Sequence, residues 1–224
     1  MANASLRVPS ISVGSTTASG LANAKRKMDE GYANFQREID QAARFTGVPK
    51  EIILPFICLE TGGTMKNVRN KTTSATGLMQ LMPNTAGFIL CLMKKPIKAN
   101  PELYAKIEAL IGGKRLRGYT VPGMDDSTAK RKYGGFSRED LDNPEMNVLF
   151  GSLCLQYLIA RNLNANGSIQ MERVIVKYNQ GLTTTIPVYE PAKVLAYAKA
   201  RFGAEPANYI VKMTGVNGYL SAYA

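Results

Sequence analysis

Two short stretches organise the chain: Leu59-Glu60-Thr61-Gly62-Gly63, and Gly77-Leu78-Met79-Gln80-Leu81-Met82-Pro83. The first closes an apolar run, so that a single acid stands at its end. An apolar run of this kind, followed by glycines, predicts a largely buried helix over residues 51–60, and Pro55 should kink it. The second stretch is a compact turn, and the apolar residues after Pro83 predict another helix over residues 84–93.

Apolar residues recur at intervals of three and four along most of the remaining chain, which is the pattern of amphipathic helices. The pattern predicts helices over residues 22–45, 101–111, 144–162, 168–178, 189–202 and 207–213. Asn143 and Ser168 are candidate N-caps for the third and fourth of these helices. Because no stretch alternates with the period of a strand, the sequence predicts a mainly α fold.

Composition divides the chain into an arm, one domain and a tail. Residues 1–21 are rich in Ser, Thr, Ala and Gly, which predicts a flexible N-terminal arm. Residues 22–213 form the predicted domain, and residues 214–224 form a small polar tail. Within the domain, residues 94–142 are the least regular part and hold much of the excess positive charge, so we interpret them as a basic insertion.

Composition also excludes several kinds of chemistry. The 224 residues include no His, which removes histidine metal ligands and the Ser-His and Cys-His catalytic pairs. The three Cys lie inside apolar segments at spacings that match no metal motif, so we expect buried reduced thiols. We therefore expect no metal and no cofactor, and any catalysis should depend on carboxylates, Lys, Tyr or Cys.

Charge and hydropathy limit the partners. The formal net charge of +11 favours polyanions such as nucleic acid, an acidic cell wall or an anionic membrane surface. No apolar run approaches the length of a transmembrane helix, and residues 1–20 lack the pattern of a signal peptide. We therefore expect a protein made in a cytoplasm and delivered elsewhere by other means.

Glu60 is the candidate acid. Burial at the end of an apolar helix and the negative end of the helix dipole both disfavour its charged form, so both raise its pKa. A carboxylic acid that is protonated near neutral pH can donate a proton to a glycosidic oxygen. Taken alone, a glutamate before two glycines is more often a solvated helix terminus.

Four ordered blocks place Glu60 in a wider pattern: Glu60-Thr61, residues 77–86, Asn143-Pro144-Glu145-Met146-Asn147, and Lys177-Tyr178-Asn179-Gln180-Gly181. Together they resemble the soluble lytic transglycosylases, which have a goose-lysozyme-like fold of packed helices with a groove. The resemblance covers roughly residues 45–197. It implies peptidoglycan glycan strands as the substrate and a domain of that lysozyme-like fold.

The resemblance also implies roles for individual residues. Glu60 would protonate the β-1,4 bond between MurNAc and GlcNAc and then, as a base, close a 1,6-anhydro ring. The implied substrate-binding residues are Thr61, Ser74, Met79, Gln80, Tyr178, Asn179 and Glu190. Ser74 is one of three loop hydroxyls, with Thr72 and Thr73, that would replace a serine of the family near the acid. For most of these residues an ordinary structural role competes with the binding role: Met79 and Tyr178 could be core, Asn179 a helix cap, and Glu190 a first-turn acid.

Three functions remain open at this stage. The first is a lytic transglycosylase, expected to be a phage virion protein that opens the wall locally for genome entry and contacts other virion proteins through its arm. A hydrolytic lysozyme on the same fold is a variant of this first function. The second is a virion protein that keeps the fold and binds peptidoglycan without turnover. The third is nucleic-acid binding by the basic insertion, which we do not expect because aromatic residues are few there and no known module is visible.

Overall fold

The computed structural model describes residues 13–223, and over these residues the chain is mainly helical, as the sequence predicts. Its twelve α-helices are α1 (Ala18–Thr46), α2 (Lys50–Glu60), α3 (Pro83–Leu92), α4 (Lys94–Ala99), α5 (Pro101–Ile111), α6 (Gly113–Thr120), α7 (Asp126–Tyr133), α8 (Arg138–Leu141), α9 (Pro144–Ala160), α10 (Met171–Gln180), α11 (Pro191–Phe202) and α12 (Ala204–Thr214). A 3₁₀ helix follows at Tyr219–Tyr223. Within residues 13–223 the β-type pairings are isolated bridges only.

Helix α9 is the centre of the core. Its residues from Met146 to Leu155 are all buried, and a helix that is apolar on every side must be covered on every side. The helices α1, α3, α8 and α10 pack against it. Asn143 caps its first turn by accepting hydrogen bonds from the amides of Glu145 and Met146, at 2.9 and 3.2 Å, which confirms the predicted start.

Helix α2 is the second buried element and carries Glu60 at its end. Every residue from Ile52 to Leu59 is buried, and the helix continues through Pro55. Proline removes one backbone donor from the helix, so packing against α1 and α12 must hold this segment in place. No helix among the described residues is long and apolar enough to cross a membrane.

The structure corrects several predicted boundaries at the chain ends. Residues 1–12 of the predicted flexible arm lie outside the described residues. Residues 18–21 belong to α1, and the segment before them pairs with the tail: the amide of Thr16 donates to the carbonyl of Val216 at 2.7 Å, and the amide of Val216 donates to Gly14 at 2.9 Å. Residues 14–21 therefore pack with the domain, and the tail contributes to that packing.

The basic insertion is also more regular than predicted. Residues 94–142 contain five helices, α4 to α8, of which only α5 matches a predicted helix. The others have between four and eight residues, too few for a recognisable apolar stripe. Ser168 is not an N-cap either, because α10 begins at Met171 after Gln170.

Candidate functional site

Glu60 is the last residue of α2, and the backbone turns sharply after it. Gly62 and Gly63 both have positive φ, 59° and 80°, a conformation that glycine adopts without strain. The amide of Gly63 donates back to the carbonyl of Cys58 at 2.7 Å, which satisfies one of the open carbonyls at the helix end. The turn carries the chain away from the helix axis and leaves Glu60 half-buried.

Glu60 opens into a cleft of about 350 Å³. Six parts of the chain meet there: the end of α2, the loop after it, the turn before α3 with the first turn of α3, the middle of α9, the end of α10 with the residues after it, and the first turns of α12. The lining residues are Glu60, Asn70, Thr73, Ala75, Gln80, Leu81, Met82, Thr85, Cys154, Tyr178, Asn179, Gln180, Gly181, Leu182, Glu205 and Tyr209. The cleft has one central acid, a second carboxylate and two tyrosines.

The environment of Glu60 favours the protonated acid. Burial, as the larger cause, and the nearby carboxylate of Glu205 together raise its pKa from 4.5 to about 8. The carboxyl group also lies at the negative end of α2, which disfavours an anion there. Among residues 13–223, no hydrogen bond or ion pair involves this carboxyl group, so its proton is available to a bound molecule.

Glu205 and Tyr209 are cleft residues that the sequence interpretation missed. They lie one turn apart on α12, so both side chains reach the same side of that helix. Glu205 stands in the first turn of α12, where the partial positive charge of the helix favours a carboxylate. Burial and the two carboxylates, Glu60 and Glu205, raise the pKa of the Tyr209 phenol and keep it neutral. The signal available in the sequence was an acid followed four residues later by a tyrosine, a spacing that puts both on one face of a helix.

Tyr178 is fixed against α2 and the turn before α3. Its ring lies 5.1 Å from the ring of Phe56, which is one turn before Glu60. Its hydroxyl donates to the backbone carbonyl of Met79 at 2.9 Å. Burial raises the pKa of this phenol well above its usual value, with the charge of Glu60 as a smaller cause. Tyr178 therefore forms a rigid wall of the cleft, with Asn179 and Gly181 beside it.

The turn at residues 77–82 is held by Asn147, a fully buried residue of α9. Its side-chain amide donates to the carbonyls of Thr76 and Leu141, at 2.8 and 3.0 Å, and its oxygen accepts from the amide of Met79 at 2.8 Å. Gly77 has a φ of 85°, and a Cβ there would lie 2.0 Å from the Asn147 amide nitrogen. The second and third blocks of the resemblance thus contact each other directly.

Met79 is core, whereas Gln80 lines the cleft. The Met79 side chain is fully buried and packs against Gly151, where a Cβ would lie 2.3 Å from the Met79 sulfur. Gln80 has a φ of 45°, and its side-chain amide donates to the carbonyls of Val68 and Gly77 at 3.0 and 2.8 Å. Met82 also lines the cleft and is 44% exposed, so it offers an apolar surface there.

The loop hydroxyl in the cleft is that of Thr73, and Ser74 is not among the lining residues. Asn70 shapes this turn, since its side-chain oxygen accepts from the amides of Thr72 and Thr73 at 2.9 and 3.0 Å. Asn70 itself lines the cleft beside Thr73. The sequence offered three hydroxyls in a row and gave no means of choosing between them.

Two further predicted binding residues do not line the cleft. The hydroxyl of Thr61 donates to the carbonyl of Ile57 at 2.7 Å and accepts from the amide of Met65 at 3.0 Å, so it holds the turn after α2. Glu190 is exposed before α11 and pairs with Lys193 at 2.7 Å. The three cysteines are buried and unpaired, as predicted.

Comparisons with known proteins found no match to a protein-family model, a curated protein or a solved structure. The resemblance to lytic transglycosylases therefore stays a prediction. What the structure adds is the geometry: Glu60, Gln80, Tyr178 and Asn179, which come from separate parts of the sequence, line one cleft.

Proposed function

We propose that the protein is a peptidoglycan lytic transglycosylase of lysozyme-like fold, with Glu60 as its acid and base. The observation that carries the proposal is the carboxyl group of a half-buried residue in a cleft, with no hydrogen-bond partner among residues 13–223 and a pKa raised to about 8. Such a group is protonated at neutral pH and has its proton free for a substrate.

In the proposed reaction, Glu60 donates its proton to the oxygen that links MurNAc C1 to GlcNAc, and the C1–O bond breaks. The positive charge that develops at C1 is stabilised by carboxylates, and Glu205 lines the same cleft. The Glu60 carboxylate then takes the proton of the MurNAc C6 hydroxyl as that oxygen bonds to C1. The products are a 1,6-anhydro-MurNAc end and a free GlcNAc end, and Glu60 is protonated again without water being consumed.

Glu205 also supports a second candidate, a hydrolytic lysozyme. A second carboxylate in the cleft can act as a general base on a water molecule, as in inverting glycosidases. Glu60 would still be the acid, but the product would carry a reducing end. The composition of the reaction products distinguishes the two reactions directly.

The proposed setting is the bacterial cell wall, reached as part of a phage virion. The positive net charge of +11 suits an acidic wall polymer, and residues 1–12 are the proposed contact to other virion proteins. The experiment is digestion of purified peptidoglycan followed by mass spectrometry of the fragments. Anhydro ends from the wild type, and none from Glu60→Gln, support the transglycosylase; equal release by both proteins supports a binding protein without turnover.

A further inference from the structure

The loop that brings Asn70 and Thr73 to the cleft contacts the basic insertion on its other side, away from the cleft. Residues 67–76 face α8 and the residue after it, Asp142, which lie far along the chain. Neither α8 nor Asp142 lines the cleft, so this contact has no direct role in binding. It fixes where the loop stands relative to Glu60.

Asp142 makes most of these contacts. Its carboxylate accepts from Arg69 Nε at 2.8 Å and from the same guanidinium's Nη2, and its other oxygen accepts from the Thr76 hydroxyl at 2.7 Å. Its backbone carbonyl accepts from the side-chain amide of Asn67 at 2.6 Å. Asp142 therefore binds the loop at its start, at its middle and at its end.

Helix α8 adds two contacts. Glu139 pairs with Arg69 at 3.2 Å, so that the guanidinium lies between two carboxylates. Arg138 Nη2 donates to the backbone carbonyl of Asn70 at 2.8 Å, directly behind the turn that faces the cleft. We call Arg138, Glu139 and Asp142 the α8 clamp.

The internal bonds of the loop give the Asn70–Thr73 turn its shape, and separate bonds tie the base of the loop to the turn before α3. Asn70 accepts from Thr72 and Thr73, and its own amide donates to Ala75 at 2.9 Å, all within the loop. At the base, Thr76 and Leu81 exchange backbone hydrogen bonds at 3.0 Å, and the Val68 carbonyl accepts from the Gly77 amide at 2.9 Å. The Asn70–Thr73 turn lies beyond these bonds, and Arg138 reaches it from outside the loop through the Asn70 carbonyl. Holding a binding loop in one place before the ligand arrives removes the entropy loss that binding would otherwise incur.

We propose that Asp142 is a positioning residue, which acts through Arg69 and Thr76 to hold the Asn70–Thr73 turn against the glycan strand. The inference rests on the proposed function for the identity of the ligand. In this proposal the basic insertion contributes to substrate affinity in two ways: by its positive charge, and by holding the loop through Asp142.

The first test compares the kinetics of Asp142→Asn with the wild type on soluble glycan strands. Asparagine keeps the shape and the acceptor for Thr76 but removes the charge that Arg69 contacts. We expect KM to rise about fivefold, the effect of a partly exposed ion pair, while kcat stays within about twofold because Glu60 is untouched. Arg69→Gln should reproduce the effect, and Arg69→Lys should restore part of it.

The control is Glu102→Gln, which removes a more exposed ion pair away from the cleft, that of Arg44 and Glu102 between α1 and α5. It should leave KM unchanged. A purely structural role of Asp142 would instead lower the melting temperature and the active fraction, so that kcat falls and KM does not change. That result, or an unchanged KM, overturns the proposal.

A second readout does not require turnover. In the Glu60→Gln background, Asp142→Asn should weaken binding to intact sacculi about fivefold, and the loop amides of Asn70 and Thr73 should exchange with deuterium about tenfold faster. If the wild type releases no fragments but Asp142→Asn still binds sacculi more weakly and exchanges its loop amides faster, the proposed activity is refuted and the role of Asp142 is supported. If binding and exchange are both unchanged, the clamp fails.

Discussion

Replacing Glu60 by Gln should change how the stability of the protein depends on pH. The pKa of Glu60 is raised from 4.5 to about 8 in the folded protein, so the folded state binds a proton that the unfolded state has lost between these values. A raised pKa of a carboxyl group gives stability that is full below the unfolded pKa and is lost as pH rises through the folded pKa. The wild type should therefore become less stable from about pH 5 to about pH 8.

The size of the effect follows from the shift. One proton bound by the folded state alone gives a slope of about 1.4 kcal/mol per pH unit, so the free energy of unfolding falls by up to about 3 kcal/mol between pH 5 and pH 7. Glutamine cannot ionise and has no such slope. Glu60→Gln should therefore gain stability relative to the wild type as pH rises, with the largest difference near pH 8.

Urea denaturation followed by circular dichroism at several pH values measures this slope. Glu190→Gln is the matched control, since Glu190 is exposed, lies before a helix and pairs with Lys193. The control should follow the wild-type curve. Equal slopes for the wild type and Glu60→Gln would refute the buried acid at the centre of the site.

Three further predictions concern the cleft. In wild-type pH–rate profiles, activity should fall with an apparent pKa near 8 as Glu60 ionises, and Glu205→Gln should move this limb to lower pH by removing the neighbouring negative charge. Tyr178→Phe should lower the free energy of unfolding by about 1 kcal/mol, measured in urea, because the Met79 carbonyl loses its donor. Gly77→Ala should cost several kcal/mol in the same assay, since it combines a φ of 85° with a Cβ 2.0 Å from Asn147 Nδ2; a cost below about 1 kcal/mol would contradict the close contact.

The long helices were predictable because their signals are local. Apolar spacing predicted α9 and α5, with Asn143 and Asn100 as side-chain caps in the structure. Glu60 was singled out by the four ordered blocks around it, since an acid at a helix end is a weak signal when taken alone. The short helices α4, α6, α7 and α8 were missed, since a helix of eight residues or fewer shows too few turns for a pattern.

The composition of the cleft was only partly predictable, because it depends on which side chains meet across the fold. Glu205 is distant from Glu60 in sequence, and only the packing of α12 against α2 brings it near. Met79 was expected in the cleft, but Gly151 leaves a space on α9 that its side chain fills. Thr73 could not be chosen over Ser74, because the choice depends on the turn that Asn70 closes.

The most direct test of the central claim is mass spectrometry of peptidoglycan digested by the wild type beside Glu60→Gln. The account predicts fragments ending in 1,6-anhydro-MurNAc from the wild type and no release by the variant, with the variant folded by circular dichroism. Fragments with reducing ends alone would assign the cleft to hydrolysis with Glu205 as base. Equal release by both proteins would contradict the role of Glu60.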